Sequence, residues 1–131
     1  MEKLREMMRR DRFAAGSGIE LLETSVGYAR TRLRVEPRHL NGVDIAQGGA
    51  VFTLADLAFA AATNTHGRVA VAVQVSISFL KAVAVGATLI AEAREVARSG
   101  RLSTCEVRVT DEAQELVALF SGTAYLKKET L

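Results

Sequence analysis

QGGAVFTLADLAFAAATN, residues 47–64, decides the fold. Beyond Gly49 this stretch contains neither glycine nor proline, and its apolar run is broken only at Thr53 and Asp56 before Thr63. Such a run predicts one buried helix of about four or five turns. Five alanines (Ala55, Ala58, Ala60, Ala61, Ala62) keep the helix thin, so a sheet can approach it closely. His66-Gly67 closes it, with Gly67 suited to the C-terminal cap.

Upstream lies a loop, Pro37 to Ala46, marked by Pro37 and the turn pair Asn41-Gly42. Before it, Ile19–Val26 and Tyr28–Glu36 read as strands, and in the second Ala29, Leu33 and Val35 alternate with Arg30, Arg32 and Arg34. Downstream, Val69–Leu80, Ala87–Ala97, Leu102–Thr110 and Glu115–Leu126 read as long strands joined by short turns, an antiparallel meander. Residues 1–14, with Leu4, Met7 and Met8 at helical spacing, read as an N-terminal helical arm ending at the breaker cluster Ala14–Gly18. Residues 15–131 read as a single domain. The predicted class is α+β: a curved antiparallel sheet wrapped around one central helix.

Composition narrows the function. The chain has 131 residues, 49% hydrophobic and 24% charged, which suits one globular domain. A net charge of +2 is too small to make nucleic acid the main partner. One cysteine, Cys105, excludes a disulfide framework and reads as an inert thiol. His39 and His66 lack metal-ligand spacing, so no metal is expected; His39 reads as a surface loop residue and His66 as a partner of the helix dipole. Met1 to Arg12 is charged throughout, unlike a signal peptide, and no run of about twenty apolar residues suggests a membrane span. A cytoplasmic protein is expected. Ser103 and Ser121 lack a G-x-S-x-G setting, and no G-x-G-x-x-G or P-loop pattern is present.

Two features carry chemistry. Asp56 is the only ionisable group between Gly49 and Asn64. A carboxylate in such a run either lies on a solvated stripe or is poised for reaction. Gln47-Gly48-Gly49 opens the helix, where unpaired backbone N–H groups favour an anion or a developing oxyanion. Gly49 and Asp56 are seven residues apart, a rise of about 10 Å, whereas each contact to a reacting carbonyl needs about 3 Å. If both act on one substrate, one of them comes from a second subunit across a two-fold axis.

Asn41-Gly42, Gln47-Gly48-Gly49 through Leu54-Ala55-Asp56, and Ala58-Phe59-Ala60 together resemble the hot-dog-fold acyl-CoA thioesterases of the phenylacetic-acid-degradation (PaaI-like) branch. The similarity continues through Val71–Leu80, Gly86-Ala87-Thr88-Leu89 and Val117–Thr123. The resemblance implies a hot-dog fold, a homodimer as the minimal active unit, and a dimer of dimers, a homotetramer. It implies Asp56 as general base or nucleophile, the Gly49 N–H as the oxyanion donor, Asn41 as the group orienting water or substrate, and Gly48 as the residue permitting close approach. Family members usually carry His where this chain has Gln47, which keeps hydrogen bonding and loses proton transfer. In some relatives the strand after the helix supplies a polar Ser or Thr; here that stretch reads Ala72-Val73-Gln74, so the resemblance leaves the role vacant or shifts it to Gln74. Phe52 and Phe59 would line an acyl tunnel. Lys81 and Arg101 are the candidates for the phosphates of coenzyme A, which is part of the substrate; no cofactor is expected. The alternative is a non-catalytic acyl-CoA-binding or sensing protein, motivated by Gln47. A dehydratase or hydratase needs a His beside the carboxylate, and His39 is badly spaced for it.

Overall fold

The apolar run folds as one helix, α3 (Gly48–Asn64), about 25 Å long. In this computed structural model, which covers residues 1–131, it lies against a six-stranded antiparallel sheet. The strands are β1 (Glu20–Ser25), β2 (Tyr28–Arg34), β3 (Arg68–Phe79), β4 (Thr88–Ser99), β5 (Leu102–Thr110) and β6 (Leu116–Thr130). This is the helix wrapped by a sheet that the resemblance implies.

Small side chains bring the two layers together. One row of neighbouring residues crosses the sheet from Ala29 to Ala93, Val107, Phe120 and Ile77. Ala29, Ala93, Val107 and Phe120 are fully buried together with Ala55, Ala58, Ala61 and Ala62 of the helix. Phe120 meets Phe52 and Phe59 at ring-centroid distances of 5.5 Å each. A Cβ on Gly122 would stand 2.9 Å from the Phe59 ring, so glycine there seats Phe59 in the core. The buried Thr31 hydroxyl donates to the Leu54 carbonyl at 2.9 Å, fixing the height of the helix over the sheet.

The strand order is β1-β2-β4-β5-β6-β3. The expected four-strand meander therefore holds only for β4, β5 and β6. β3 pairs with β6 instead of β4, and β2 takes the place beside β4. Alternation identifies a strand but not its partner; the helix crosses the sheet and delivers β3 to the far edge. There β3 has an unpaired side, and Val71, Val73 and Phe79 are 45%, 59% and 53% exposed. β6 also runs four residues beyond its expected end, to Thr130.

At the N-terminus, α1 (Glu2–Arg9) is followed by α2 (Arg12–Gly16), so three residues of the expected breaker cluster are helical. Asp11 explains this: its carboxylate accepts the Ala14 N–H at 3.0 Å and caps the new helix. Both helices pack against α3, and Leu4 and Ala14 are buried. No helix is long and apolar enough to cross a membrane.

Candidate active site

The site is built from one stripe of α3. Gly49, Phe52, Thr53 and Asp56 follow helical spacing and stay wholly or partly exposed while their neighbours Leu54, Ala55 and Leu57 are buried. They open onto a cavity of about 710 Å3 that also reaches Gln47. Its other walls come from Asp11 and Phe13 of the N-terminal segment and from Arg38, His39 and Leu40 of the loop before α3.

Asp56 is half-buried. Burial raises its carboxyl above the ordinary value of 3.8, and the negative charge of Asp11 raises it further. No hydrogen bond is among the causes, so nothing within the chain offsets the loss of solvent. A carboxylate made more basic and left without a partner is suited to accept a proton.

Gln47 is the N-cap of α3. Its backbone is extended (φ −67°, ψ 138°), its carbonyl accepts the Ala50 N–H at 2.9 Å, and its side-chain Oε1 accepts the Gly49 N–H at 2.6 Å. Gly48 faces the other way: a Cβ there would come within 3.1 Å of the Phe79 ring.

Asn41 sits across the helix start. Its Oδ1 accepts the Val43 and Ile45 N–H groups at 3.0 and 3.2 Å, folding residues 41–45 into a tight turn. It shares a second cavity, of about 370 Å3, with Gly48 and Lys81, while Gln47, Gly49 and Asp56 share the first. Within one chain the expected site residues are thus divided between two faces of the helix start.

Several expected residues are placed elsewhere. Phe59 is 1% exposed and belongs to the core rather than a tunnel wall, because Gly122 makes room for it there. Phe52 does line the larger cavity. Gln74 is exposed on β3 beside Thr123 and lines neither of these cavities. The Lys81 ammonium is bound by Asp111 and, at 2.7 Å, by Glu115, which pushes its pKa up to about 12. Arg101 donates to the Leu126 carbonyl at 3.1 Å, at the turn between β4 and β5.

His39 is buried, not a surface residue. Its Nδ1 accepts the Glu36 N–H at 2.9 Å, so its Nε2–H donates to the Ser17 carbonyl at 2.7 Å. It ties the loop to the N-terminal segment and shapes the cavity wall. The signal for this was local: Glu36 and His39 form reciprocal caps around a 3-10 turn, Pro37–His39. Sequence reading also missed Asp11, Phe13 and Arg38. Only Asp11 carried a signal, as an N-cap residue before a helical stretch.

The comparisons agree with the fold. A family model described as Thioesterase superfamily matches residues 45–118, from just before Gln47 through β3, β4 and β5 into β6. Acyl-coenzyme A thioesterase PaaI of Escherichia coli K12 is 34% identical over 119 residues, covering 91% of this chain and 85% of that protein. The solved E. coli PaaI protein from the phenylacetic acid degradation operon matches with a TM-score of 0.94 at 32% identity, covering 98% of this chain and 94% of that one. A Streptococcus mutans protein solved bound to acetyl CoA matches with a TM-score of 0.82 at 26% identity, covering 86% of this chain and 91% of that one.

Proposed function

We propose that this chain, which belongs to the thioesterase superfamily and has the hot-dog fold of its PaaI-like branch, hydrolyses the thioester bond of acyl-coenzyme A substrates. The observation that carries the reading is Asp56: half-buried, raised in pKa, without a partner, and on the same helix stripe as the Gly49 N–H.

The rise of about 10 Å between Gly49 and Asp56 keeps one carbonyl from touching both groups of a single chain. The reading therefore includes a homodimer. β3 supports it, since a twelve-residue edge strand with an unpaired side and exposed valines is a template for a second copy. Two sheets joined edge to edge about a two-fold axis would set two α3 helices antiparallel. Asp56 of one protomer would then face the helix start of its partner. The resemblance extends this to a dimer of dimers.

In this arrangement the thioester oxygen accepts from Gly49 N–H of one protomer. Asp56 of the other takes a proton from water as the water oxygen attacks the carbonyl carbon. The tetrahedral intermediate collapses, the C–S bond breaks, and the coenzyme A thiolate takes the proton back from Asp56. Direct attack by Asp56 would instead form a mixed anhydride; 18O found in the Asp56 carboxyl after a single turnover in 18O-water establishes that route, because general-base hydrolysis never labels it. Asn41 is held by its turn beside the helix start and orients the substrate there. Phe52 contacts the acyl group.

The test is thiol release across a panel of acyl-CoAs. Asp56→Asn and Asp56→Ala should each lower turnover by about 100-fold or more while the melting curve is preserved. Near-normal turnover in both would overturn the assignment. One observation favours the second reading, binding without hydrolysis: Gln47 fills the Gly49 N–H. Acyl-CoAs that raise the melting temperature without releasing thiol would establish it.

A further inference from the structure

Phe13, at 73%, is the most exposed aromatic side chain of the protein, and it lines the same cavity as Asp56 and Phe52. A single exposed apolar residue is ordinary on a protein surface. Phe13 differs in how firmly it is held and in what it faces.

The short helix α2 that carries Phe13 is fixed on three sides. Asp11 caps its first turn through the Ala14 N–H. At its other end the Ile19 N–H returns to the Ala14 carbonyl at 3.1 Å around Gly18, whose φ of +79° suits glycine. The loop before α3 clamps it from the side: Arg38 donates to the Gly16 carbonyl at 2.6 Å, and the His39 Nε2–H to the Ser17 carbonyl at 2.7 Å. A Cβ on Gly18 would stand 2.8 Å from the Arg38 guanidinium, so the glycine lets this clamp close. Ala14 is buried in the core, which leaves its neighbour Phe13 on the cavity side of the helix. Across the cavity Phe52 is backed by the Phe120 ring at 5.5 Å, whereas Phe13 stacks on no other aromatic ring. Leu40, Ala50 and Leu57 add further apolar surface between them. A reacting carbonyl must come within about 3 Å of the groups that act on it, so an acyl group attached to it lies beside Asp56 and along these walls.

We propose that Phe13 is a specificity-determining residue: α2 holds its ring against the acyl group of the bound thioester and so favours acyl groups that are apolar and longer than acetyl. This rests on the reading of Asp56 as the group that activates water. An acetyl group ends one carbon beyond the carbonyl, whereas a hexanoyl or phenylacetyl group extends along the cavity wall. Burial of the Phe13 ring is therefore gained with the longer substrates and not with acetyl-CoA. Because the clamp sets α2 in place before substrate arrives, little ordering cost is set against that gain.

The experiment measures kcat/KM for thiol release from acetyl-, hexanoyl- and phenylacetyl-CoA in wild type, Phe13→Ala and Phe13→Leu, with size-exclusion chromatography alongside. Wild type should prefer the two longer substrates. Phe13→Ala should lower kcat/KM for both of them about tenfold and leave acetyl-CoA within about twofold, at unchanged elution volume. Phe13→Leu keeps apolar surface and loses the ring, so it should cost about threefold on phenylacetyl-CoA and less on hexanoyl-CoA. Hydrolysis by wild type that Asp56→Asn abolishes, combined with an equal change or no change on all three substrates in Phe13→Ala, overturns the role of Phe13 alone. An equal fall accompanied by a shifted elution volume overturns it too, since Phe13 would then serve subunit contact. Absence of thiol release by wild type from all three substrates overturns the reading of Asp56 and the role of Phe13 with it.

Discussion

The two ends of α3 are treated in opposite ways. At its C-terminal end every polar side chain has a partner. Asn64, buried, donates to the Ala60 and Ala70 carbonyls at 2.8 and 3.3 Å and accepts the Ala70 N–H at 2.8 Å. The Thr65 hydroxyl donates to the Ala62 carbonyl at 2.7 Å and accepts the Gly27 N–H at 2.8 Å, joining the helix end to the β1–β2 turn. His66 bonds Glu95 at 2.9 Å, and the Ser103 hydroxyl donates to the same carboxylate. In the N-terminal half Asp56, at the middle of the helix, has no partner, and the Gly49 N–H is held only by the Gln47 side chain. Polar groups withdrawn from solvent are paired in almost all folded proteins, and the half of the helix without such pairing is the one to which the proposed function assigns the substrate.

The largest effect tests this contrast directly. Asp56→Asn should reduce hydrolysis by two to four orders of magnitude, about 10²- to 10⁴-fold, with the melting temperature unchanged or higher, because it removes a charge that burial disfavours. A matching loss of stability would show that Asp56 serves the fold, and the distinction between the ends would fail. Next comes the opposite end. Asn64→Ala should destabilise by about 2 kcal/mol in urea denaturation, since three bonds at a buried site are lost, while kcat per folded molecule stays near wild type.

The two ends should also titrate with opposite sign. Burial tends to raise the Glu95 carboxyl, but the hydrogen bonds from Ser103 and His66 together bring it below its ordinary 4.5. A depressed pKa contributes stability that is present above the unfolded value and is lost as pH falls through the folded one. Asp56 is raised, so the folded state holds its proton more tightly, and this group stabilises the fold as pH falls through its folded pKa. Glu95→Gln should flatten the loss of stability below about pH 4.5, and Asp56→Asn should steepen it. In activity, the acidic limb of kcat/KM should lie above 3.8, and Asp11→Asn should move it downward by removing the second cause of the shift.

The smallest effect lies beside the satisfied end. Burial first, and the Glu95 charge second, push the Cys105 thiol up to about 12. Iodoacetamide at pH 8 should leave folded protein unlabelled over hours and modify it promptly in urea. Fast labelling of the native state would mean that this end opens.

The helix, its end near Asn64, the strand positions and the isolation of Asp56 were legible in the sequence because each rests on local pattern: apolar continuity, alternation, and a charge with no charged neighbour. Gly49 was legible for the same reason, as a glycine at a helix start. The walls of the cavity were not, because Asp11, Phe13, Arg38 and His39 reach it from segments some 17 to 45 residues away from Asp56 in the chain. Nor was the fate of Phe59 and Lys81, since burial against Gly122 and capture by Asp111 and Glu115 depend on strands that arrive much later in the sequence. Periodicity states which residues face inward but not which strand lies alongside, so the edge position of β3 was decided only by how α3 crosses the sheet. The Gln47 cap came from the tertiary structure as well: a side-chain rotamer over a helix end leaves no trace in residue spacing.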